Sequence, residues 1–179
     1  MKLGGDGDVE RVRAVRAAAR LIIDAQESWS KAQLRAFMPA LVDCRVGLIE
    51  QPLPADADDA LARLEGPILL CADESCRTVA DLDRLDGKYE AITIKLDKAG
   101  GLTEALALAA VAKRRGLRIM VGGAIGTSLG IAPALLVAQG AEIVDLDGPL
   151  HLASDRVPGL RYEGSTIRPA EPNLWGGPG

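Results

Sequence analysis

Short apolar runs recur along the chain, and four of them end on an ionisable residue: Leu21-Ile22-Ile23-Asp24, Gly47-Leu48-Ile49-Glu50, Ile68-Leu69-Leu70-Cys71-Ala72-Asp73 and Ala91-Ile92-Thr93-Ile94-Lys95. A continuous apolar run of this length, rich in β-branched residues, predicts a strand buried on both faces, as in a parallel sheet. Asp24, Glu50, Asp73 and Lys95 follow one another at 26, 23 and 22 residues. A strand, a helix and two loops fill roughly 20 to 30 residues, so this is the period of a βα repeat. Lys95 to Asp145 is 50 residues, two further steps, with a strand from Arg118 to Gly123 between them. The polar residues are therefore expected at one height, on the C-terminal ends of one parallel sheet.

The intervening segments carry helical spacing. Val9, Val12, Val15 and Ala19 make an apolar stripe among charges over Asp8 to Ala19, the helix of a unit whose strand is absent. Ser30 suits an N-cap for a helix to Leu41, and shorter helices are expected over Ala57 to Leu64 and Val79 to Leu85. Leu102 to Arg115, rich in Ala and Leu and closed by basic residues and Gly116, is the strongest helix. The predicted strands are Arg20 to Ala25, Val46 to Pro52, Pro67 to Ser75, Ala91 to Lys95, Arg118 to Gly123 and Ile143 to Asp147. The sequence thus predicts an α/β fold, a partial TIM-type (β/α) barrel of about six parallel strands each followed by a helix, where a closed barrel needs eight. Residues 1–150 form that partial barrel domain and 151–179 a Gly- and Pro-rich C-terminal extended tail packing on it. Two strand units are expected to precede Met1.

Composition narrows the function classes. The 179 residues are 48% hydrophobic and 26% charged, enough for one sizeable core. A net charge of -4 with two Trp, two Tyr and one Phe argues against a basic nucleic-acid groove with stacking platforms. Cys44, Cys71 and Cys76 are odd in number and lack metal-binding spacing, so they read as small buried apolar residues in a reducing, cytoplasmic setting. The first residues, Met-Lys-Leu-Gly-Gly-Asp, contain no apolar core of a signal peptide. Ile119 to Ala141 is uncharged over 23 residues. Its glycines, proline and hydroxyl residues split it into strand and helix, so it reads as buried barrel, with no membrane partner.

Six segments, taken in order and at these separations, carry a resemblance: Asp24-Ala25; Ile49-Glu50-Gln51-Pro52; Ala72-Asp73-Glu74-Ser75; Ile94-Lys95-Leu96-Asp97-Lys98 with Gly100-Gly101; Gly126-Thr127-Ser128-Leu129; and Asp145-Leu146-Asp147-Gly148-Pro149. The chain resembles the C-terminal barrel part of an enolase-superfamily enzyme, and within that superfamily the dipeptide epimerases of the L-Ala-D/L-Glu type. The resemblance implies a separate N-terminal capping domain, lacking here, and an isomerase that moves a proton at an α-carbon through an enolate.

Asp24, Glu50 and Asp73 are then the metal ligands. Three hard oxygen donors, with water and substrate completing an octahedron, suit one magnesium ion per site, with manganese as an alternative. The ordinary reading of each acid is a helix cap or a solvated loop residue, but alignment at successive strand ends favours the metal. A divalent cation on the substrate carboxylate stabilises the dianion left when the neighbouring proton departs. Lys95 is placed as one base, its pKa expected to fall toward neutrality beside the cation and with partial loss of water. Inversion needs a second group on the opposite face. Lys2-Leu3-Gly4 matches the downstream half of the family's Lys-x-Lys motif, which makes Lys2 the partner, expected to lack strand support and to be mobile. Lys98 reads as a snorkelling surface lysine.

Asp145 and Asp147 share a strand face by the period of two, and the resemblance assigns them the dipeptide's α-amino group; the alternative is a cap on the turn at Gly148-Pro149. Gly126 and Thr127 are weaker substrate contacts, and His151 reads as a loop residue. Two departures stand out: Gln26 where the family usually has Asn, and Gly123-Ala124 where it usually has Cys-Met. The implied substrate is a small dipeptide. Another enolase-superfamily reaction, such as cycloisomerisation or o-succinylbenzoate synthesis, or a non-catalytic truncated fragment, are the alternatives. Open barrel edges predict a homo-oligomer or association with the missing barrel part.

Overall fold

All six apolar runs are strands: β1 (Leu21–Asp24), β2 (Val46–Glu50), β3 (Leu69–Ala72), β4 (Ala91–Ile94), β5 (Arg118–Gly122) and β6 (Ile143–Asp145). They form one sheet in the order β1-β2-β3-β4-β5-β6 with every pairing parallel. The computed structural model describes residues 1–15, 20–62, 64 and 66–177. Strands paired in chain order with helices between them curl into a partial TIM barrel, as the βα period predicts.

The helices are α1 (Asp8–Val15), α2 (Lys31–Asp43), α3 (Leu96–Ala99), α4 (Leu102–Arg114), α5 (Ser128–Ile131) and α6 (Ala134–Ala138). Arg16 to Ala19, the end of the first predicted helix, lies outside the described residues. Ser30 caps α2 with a full capping box, its hydroxyl accepting from the Gln33 amide and the Gln33 side chain accepting from the Ser30 amide. The units after β2 and β3 are 3-10 turns, Asp58–Leu61 and Val79–Arg84, in place of α-helices. They are four and six residues long, the short span in which 3-10 turns commonly serve as connectors. A third such turn, Gly148–His151, follows β6 where a helix was expected. Beyond His151 the chain forms a small antiparallel pair, β7 (Tyr162–Glu163) with β8 (Thr166–Ile167), and a last 3-10 turn, Pro172–Trp175. Leu160 and Ile167 pack against the main core.

Alternation along each strand sorts the apolar residues into two layers. Ile23, Ile49, Leu70, Ile92, Ile94 and Val121 face outward into a core shared with Leu34, Leu41, Leu82 and Leu108. Leu48, Cys71, Ala91 and Met120, with Ile22, Leu69 and Ile143, fill the concave side. Followed toward the C-terminal ends, that inner parity runs into Asp24, Glu50, Asp73, Thr93, Lys95, Gly122 and Asp145.

The register corrects the simple picture of one level. Asp24 pairs with Glu50, but Glu50 pairs with Cys71, so Asp73 stands two residues ahead of Glu50. A stagger of this kind accompanies strand tilt in a barrel. Being even, it keeps every acid on the inner face, whereas a slip of one would turn it outward.

Ile92→Ala, at the middle of the outer layer and 0% exposed, should cost about 2–5 kcal/mol of stability. Urea unfolding with an unchanged m-value measures it. The control Val157→Ala, at 95% exposed, should leave the midpoint in place; a loss below about 1 kcal/mol at Ile92 would show the layer to be loosely packed.

Candidate active site

Part of the inner-face polar set lines a cleft of about 370 Å³, with Lys2, Glu50, Lys95, Asp145, Asp147 and His151 among its residues; Asp24 and Asp73 are not in its lining and are joined to it through Lys2 and Lys95. Met120 and Gly122 form part of its wall. Space at Gly122 is tight: a Cβ would come within 3.2 Å of Thr93 Cγ2 and 3.3 Å of Lys95 Cε. Gly148 is required by contact, since its Cβ would sit 2.6 Å from the Ala124 carbonyl oxygen. That contact seats the turn after β6 on the loop after β5.

Glu50 is 3% exposed. Loss of water and the nearby charges of Asp24 and Asp73 push its pKa up to about 7, against a hydrogen bond from Thr93 Oγ1 at 2.8 Å. Asp73 is also buried, which by itself raises its pKa, but Lys98 and Lys95 outweigh burial and hold it below the usual carboxylate range. Asp73 Oδ2 accepts from Lys95 Nζ, and Oδ1 accepts from Lys98 Nζ at 2.6 Å. Asp24 Oδ2 accepts from Lys2 Nζ at 2.7 Å, and its Oδ1 from the Gln26 amide at 2.9 Å.

Three expectations change here. Lys95 has its pKa raised, not lowered: burial pulls it down, but the Asp73 hydrogen bond and the surrounding carboxylates prevail. Lys98 is no surface lysine; its ammonium is bonded to the Asp73 carboxylate, the Asp73 carbonyl and the Thr93 carbonyl. Lys2 has strand support. It forms a parallel bridge to Asp24, with the Leu3 amide donating to the Asp24 carbonyl at 2.7 Å and the Asp24 amide donating to the Met1 carbonyl at 2.8 Å. Asp8 then anchors the turn that follows, accepting from the amides of Gly4 and Gly5 and from Trp29 Nε1 at 2.8 Å.

The donor set suits a divalent cation. Asp24 and Asp73 each already hold a positive charge on Oδ2, and the charges of both help to raise the Glu50 pKa. Among the described residues no three His, Cys, Asp or Glu side chains are closed to coordinating distance. Two of the acids are turned to lysines, Asp24 to Lys2 and Asp73 to Lys95 and Lys98.

Asp145 and Asp147 both line the cleft, although β6 ends at Asp145 and Asp147 belongs to the following turn. Lost water on the cleft wall and the charge of Asp147 raise the Asp145 pKa. His151 Nε2 lies 3.2 Å from Asp147 Oδ2, so the histidine belongs to the cleft as well. The four-residue spacing from Asp147 was its signal. Gly126 lines an adjacent cavity of about 200 Å³, and Thr127 lines neither. Thr93 and Gln51 escaped sequence reading; Thr93 is a hydroxyl at an inward position of an apolar strand, two residues before Lys95. Gln26 has a φ of +48°, in the left-handed region where Asn is enriched, which explains why Asn is the usual residue there.

The pH dependence has a definite sign. Between about 4.5 and about 7 the folded chain keeps a proton on Glu50 that the unfolded chain has released, so stability falls as pH rises through this window. The loss reaches up to about 3 kcal/mol above neutrality; Asp73, whose pKa is lowered, acts only in acid below this window. Urea unfolding in EDTA across this range should show the decline, and Glu50→Gln should flatten it. An equal slope in both proteins would remove the attribution to Glu50.

The profile of the enolase C-terminal domain-like family matches residues 1–169. The N-acetyl-D-glutamate racemase of Pseudoalteromonas sp is 45% identical over 180 residues, 99% of this chain and 57% of the relative. The L-Ala-D/L-Glu epimerase of Escherichia coli K12 is 47% identical over 156 residues, 86% of this chain and 49% of the relative. A crystal structure from Agrobacterium tumefaciens, an enolase family member with homology to dipeptide epimerases and with bound sodium and L-Ala-L-Glu, matches at TM-score 0.93 and 55% identity over 97% of this chain and 55% of that one. The chain spans about half the length of the relatives it matches. With acid, acid, acid and lysine at or just beyond the ends of successive parallel strands, and with that profile matched from residue 1 to 169, the chain belongs to the enolase C-terminal domain-like family.

Proposed function

We propose that these residues carry out the 1,1-proton transfer of a dipeptide epimerase of the L-Ala-D/L-Glu type. The observation that carries the reading is a single cleft collecting two lysines, Glu50 and the Asp145–Asp147 pair. The 47% identity to an L-Ala-D/L-Glu epimerase supports it. Asp24, Glu50 and Asp73 would hold a divalent cation, for which magnesium suits an all-oxygen set. A cation held there would supply neutralisation of the substrate carboxylate and of the charge that builds on it.

The chain's own groups divide the remaining work. Lys95 takes the α-proton from one face as the free amine, which requires its ammonium to lose a proton and leave Asp73. Lys2 reaches the cleft from the opposite end of the β1 to β4 arc and, as the ammonium, returns a proton to the other face. The reverse reaction exchanges the two roles. Asp145 and Asp147 receive the dipeptide's α-ammonium through charge-assisted hydrogen bonds, and His151 steadies Asp147 from four residues away.

A second reading has a specific observation behind it, the 45% identity to an N-acetyl-D-glutamate racemase. An N-acylated substrate has no ammonium for the Asp145–Asp147 pair. Cycloisomerisation and o-succinylbenzoate synthesis share that lack, so the pair discriminates among all of these reactions.

A chimera decides between them: residues 1–169 replace the matching segment of the Escherichia coli epimerase, and deuterium uptake at the α-carbon is followed in D₂O. L-Ala-L-Glu should exchange, and Lys95→Ala should reduce the rate by about 10²–10⁴-fold. Asp147→Asn should raise KM for the dipeptide by on the order of tenfold and leave any turnover of N-acetylglutamate unchanged. Exchange that survives Lys95→Ala removes the mechanism, and an Asp147→Asn chimera with unaltered dipeptide kinetics removes the substrate.

Cation binding is separately measurable on the chain itself. Magnesium at about a hundred times its Kd should add about 2.7 kcal/mol of stability. A Tm that is flat in magnesium, or that rises equally in Asp73→Asn, would remove the cation site.

A further inference from the structure

Asp73 stands one residue beyond the end of β3, so the sheet ladder does not fix it. Yet nearly all of its polar groups are held. Its amide donates to Gln51 Oε1 at 2.8 Å. Its carbonyl accepts from Lys98 Nζ at 2.5 Å and from the Cys76 amide at 3.1 Å, and its Oδ1 accepts from Lys98 Nζ at 2.6 Å. Oδ2 accepts from Lys95 Nζ, the one of these partners that lines the cleft.

The two residues that do this holding are themselves over-determined. Gln51, fully buried, follows Glu50 directly and has a φ of +34°, a conformation that a non-glycine residue keeps only when its surroundings impose it. The imposing bonds run from Nε2 to the Leu53 carbonyl and Ser75 Oγ, both at 2.8 Å, and to Tyr89 OH at 3.1 Å. Its Oε1 also accepts from the Ser75 amide at 3.2 Å. One amide thus joins the end of β2 to the turn after β3. Lys98, its side chain 11% exposed, adds a bond to the Thr93 carbonyl at 2.8 Å and so joins the end of β3 to β4. Neither residue lines the cleft.

We propose that Gln51 and Lys98 are positioning residues for Asp73, fixing its backbone and one carboxylate oxygen so that Oδ2 alone is presented to a cation shared with Asp24 and Glu50. The inference rests on the reading of those three acids as a cation site. Partners of a ligating carboxylate commonly set its orientation, and their loss weakens metal affinity. A purely structural pair would lower stability and leave the affinity of the folded molecules unchanged.

Isothermal titration with magnesium, on protein shown to be folded by circular dichroism, separates these. Lys98→Met should weaken binding by about 10–100-fold, with Lys98→Arg recovering most of it. Gln51→Met should behave as Lys98→Met does, and Gln51→Asn, an amide too short to reach Asp73, replaces it if the methionine variant does not fold. Coulomb repulsion alone predicts the opposite sign for Lys98, because removing a cation beside the site tightens magnesium binding. Unchanged or tighter binding in folded variants overturns the proposal while the cation site stands. A wild-type chain that takes up no magnesium overturns the cation site and the proposal together.

Discussion

Three carboxylates are brought together where the strands end, and the charge between them governs the rest of the site. Asp24, Glu50 and Asp73 share one face and are all buried, so they cannot all be ionised without compensation. The chain supplies compensation unequally. Asp73 receives two ammonium groups and Asp24 one, while Glu50 receives only the Thr93 hydroxyl. The outcome is a graded set: Asp73 firmly anionic, Glu50 half-protonated near neutrality. Lys2 and Lys95, two of the three lysines that neutralise the acids, also line the cleft, so the charge of the carboxylates and that of the cleft rest on one set of ion pairs.

The geometry behind that set comes from the sheet. Period-two alternation sends Leu48 and Glu50, or Ala91, Thr93 and Lys95, down the same concave face, so the apolar filling of the barrel and the polar mouth are successive layers of one parity. Positions just past the strands lose the ladder and need other restraints. Left-handed backbone follows the acids, at Gln26 two residues after Asp24 and at Gln51 directly after Glu50, and Asp8 ties the Lys2 segment to Trp29. Buried polar bonds of this kind hold their partners in one arrangement because an unmade bond there is costly.

Much of this was legible in the sequence. Apolar runs of strand length at a βα period gave the parallel sheet, because a strand covered by helices outside and side chains inside has no solvent face to mark with polar residues. The acid or lysine closing each run gave the cleft, because an inward parity that is apolar within the sheet can turn polar only where the strand opens to solvent. The Asp24, Glu50, Asp73 and Lys95 series and the Asp145–Asp147 pair were therefore visible as spacing alone.

Only the tertiary structure decided how those residues pair. The two-residue stagger of β3 against β2 depends on strand tilt, which leaves no trace in the order of residues. Lys98 looked like any lysine in an amphipathic segment until the end of β3 was packed beside it and gave its ammonium two carbonyls and a carboxylate. Lys95 looked like a group of lowered pKa because a bound cation and burial were both expected beside it; among the chain's own groups the opposing effect of carboxylates 22 and 45 residues upstream prevails. Lys2 looked unsupported, because its support is a bridge to Asp24, 22 residues away. Periodicity is a local property and survives in one dimension; the sign of a pKa shift and the company of a lysine are set by which distant charges the fold brings within a few ångströms.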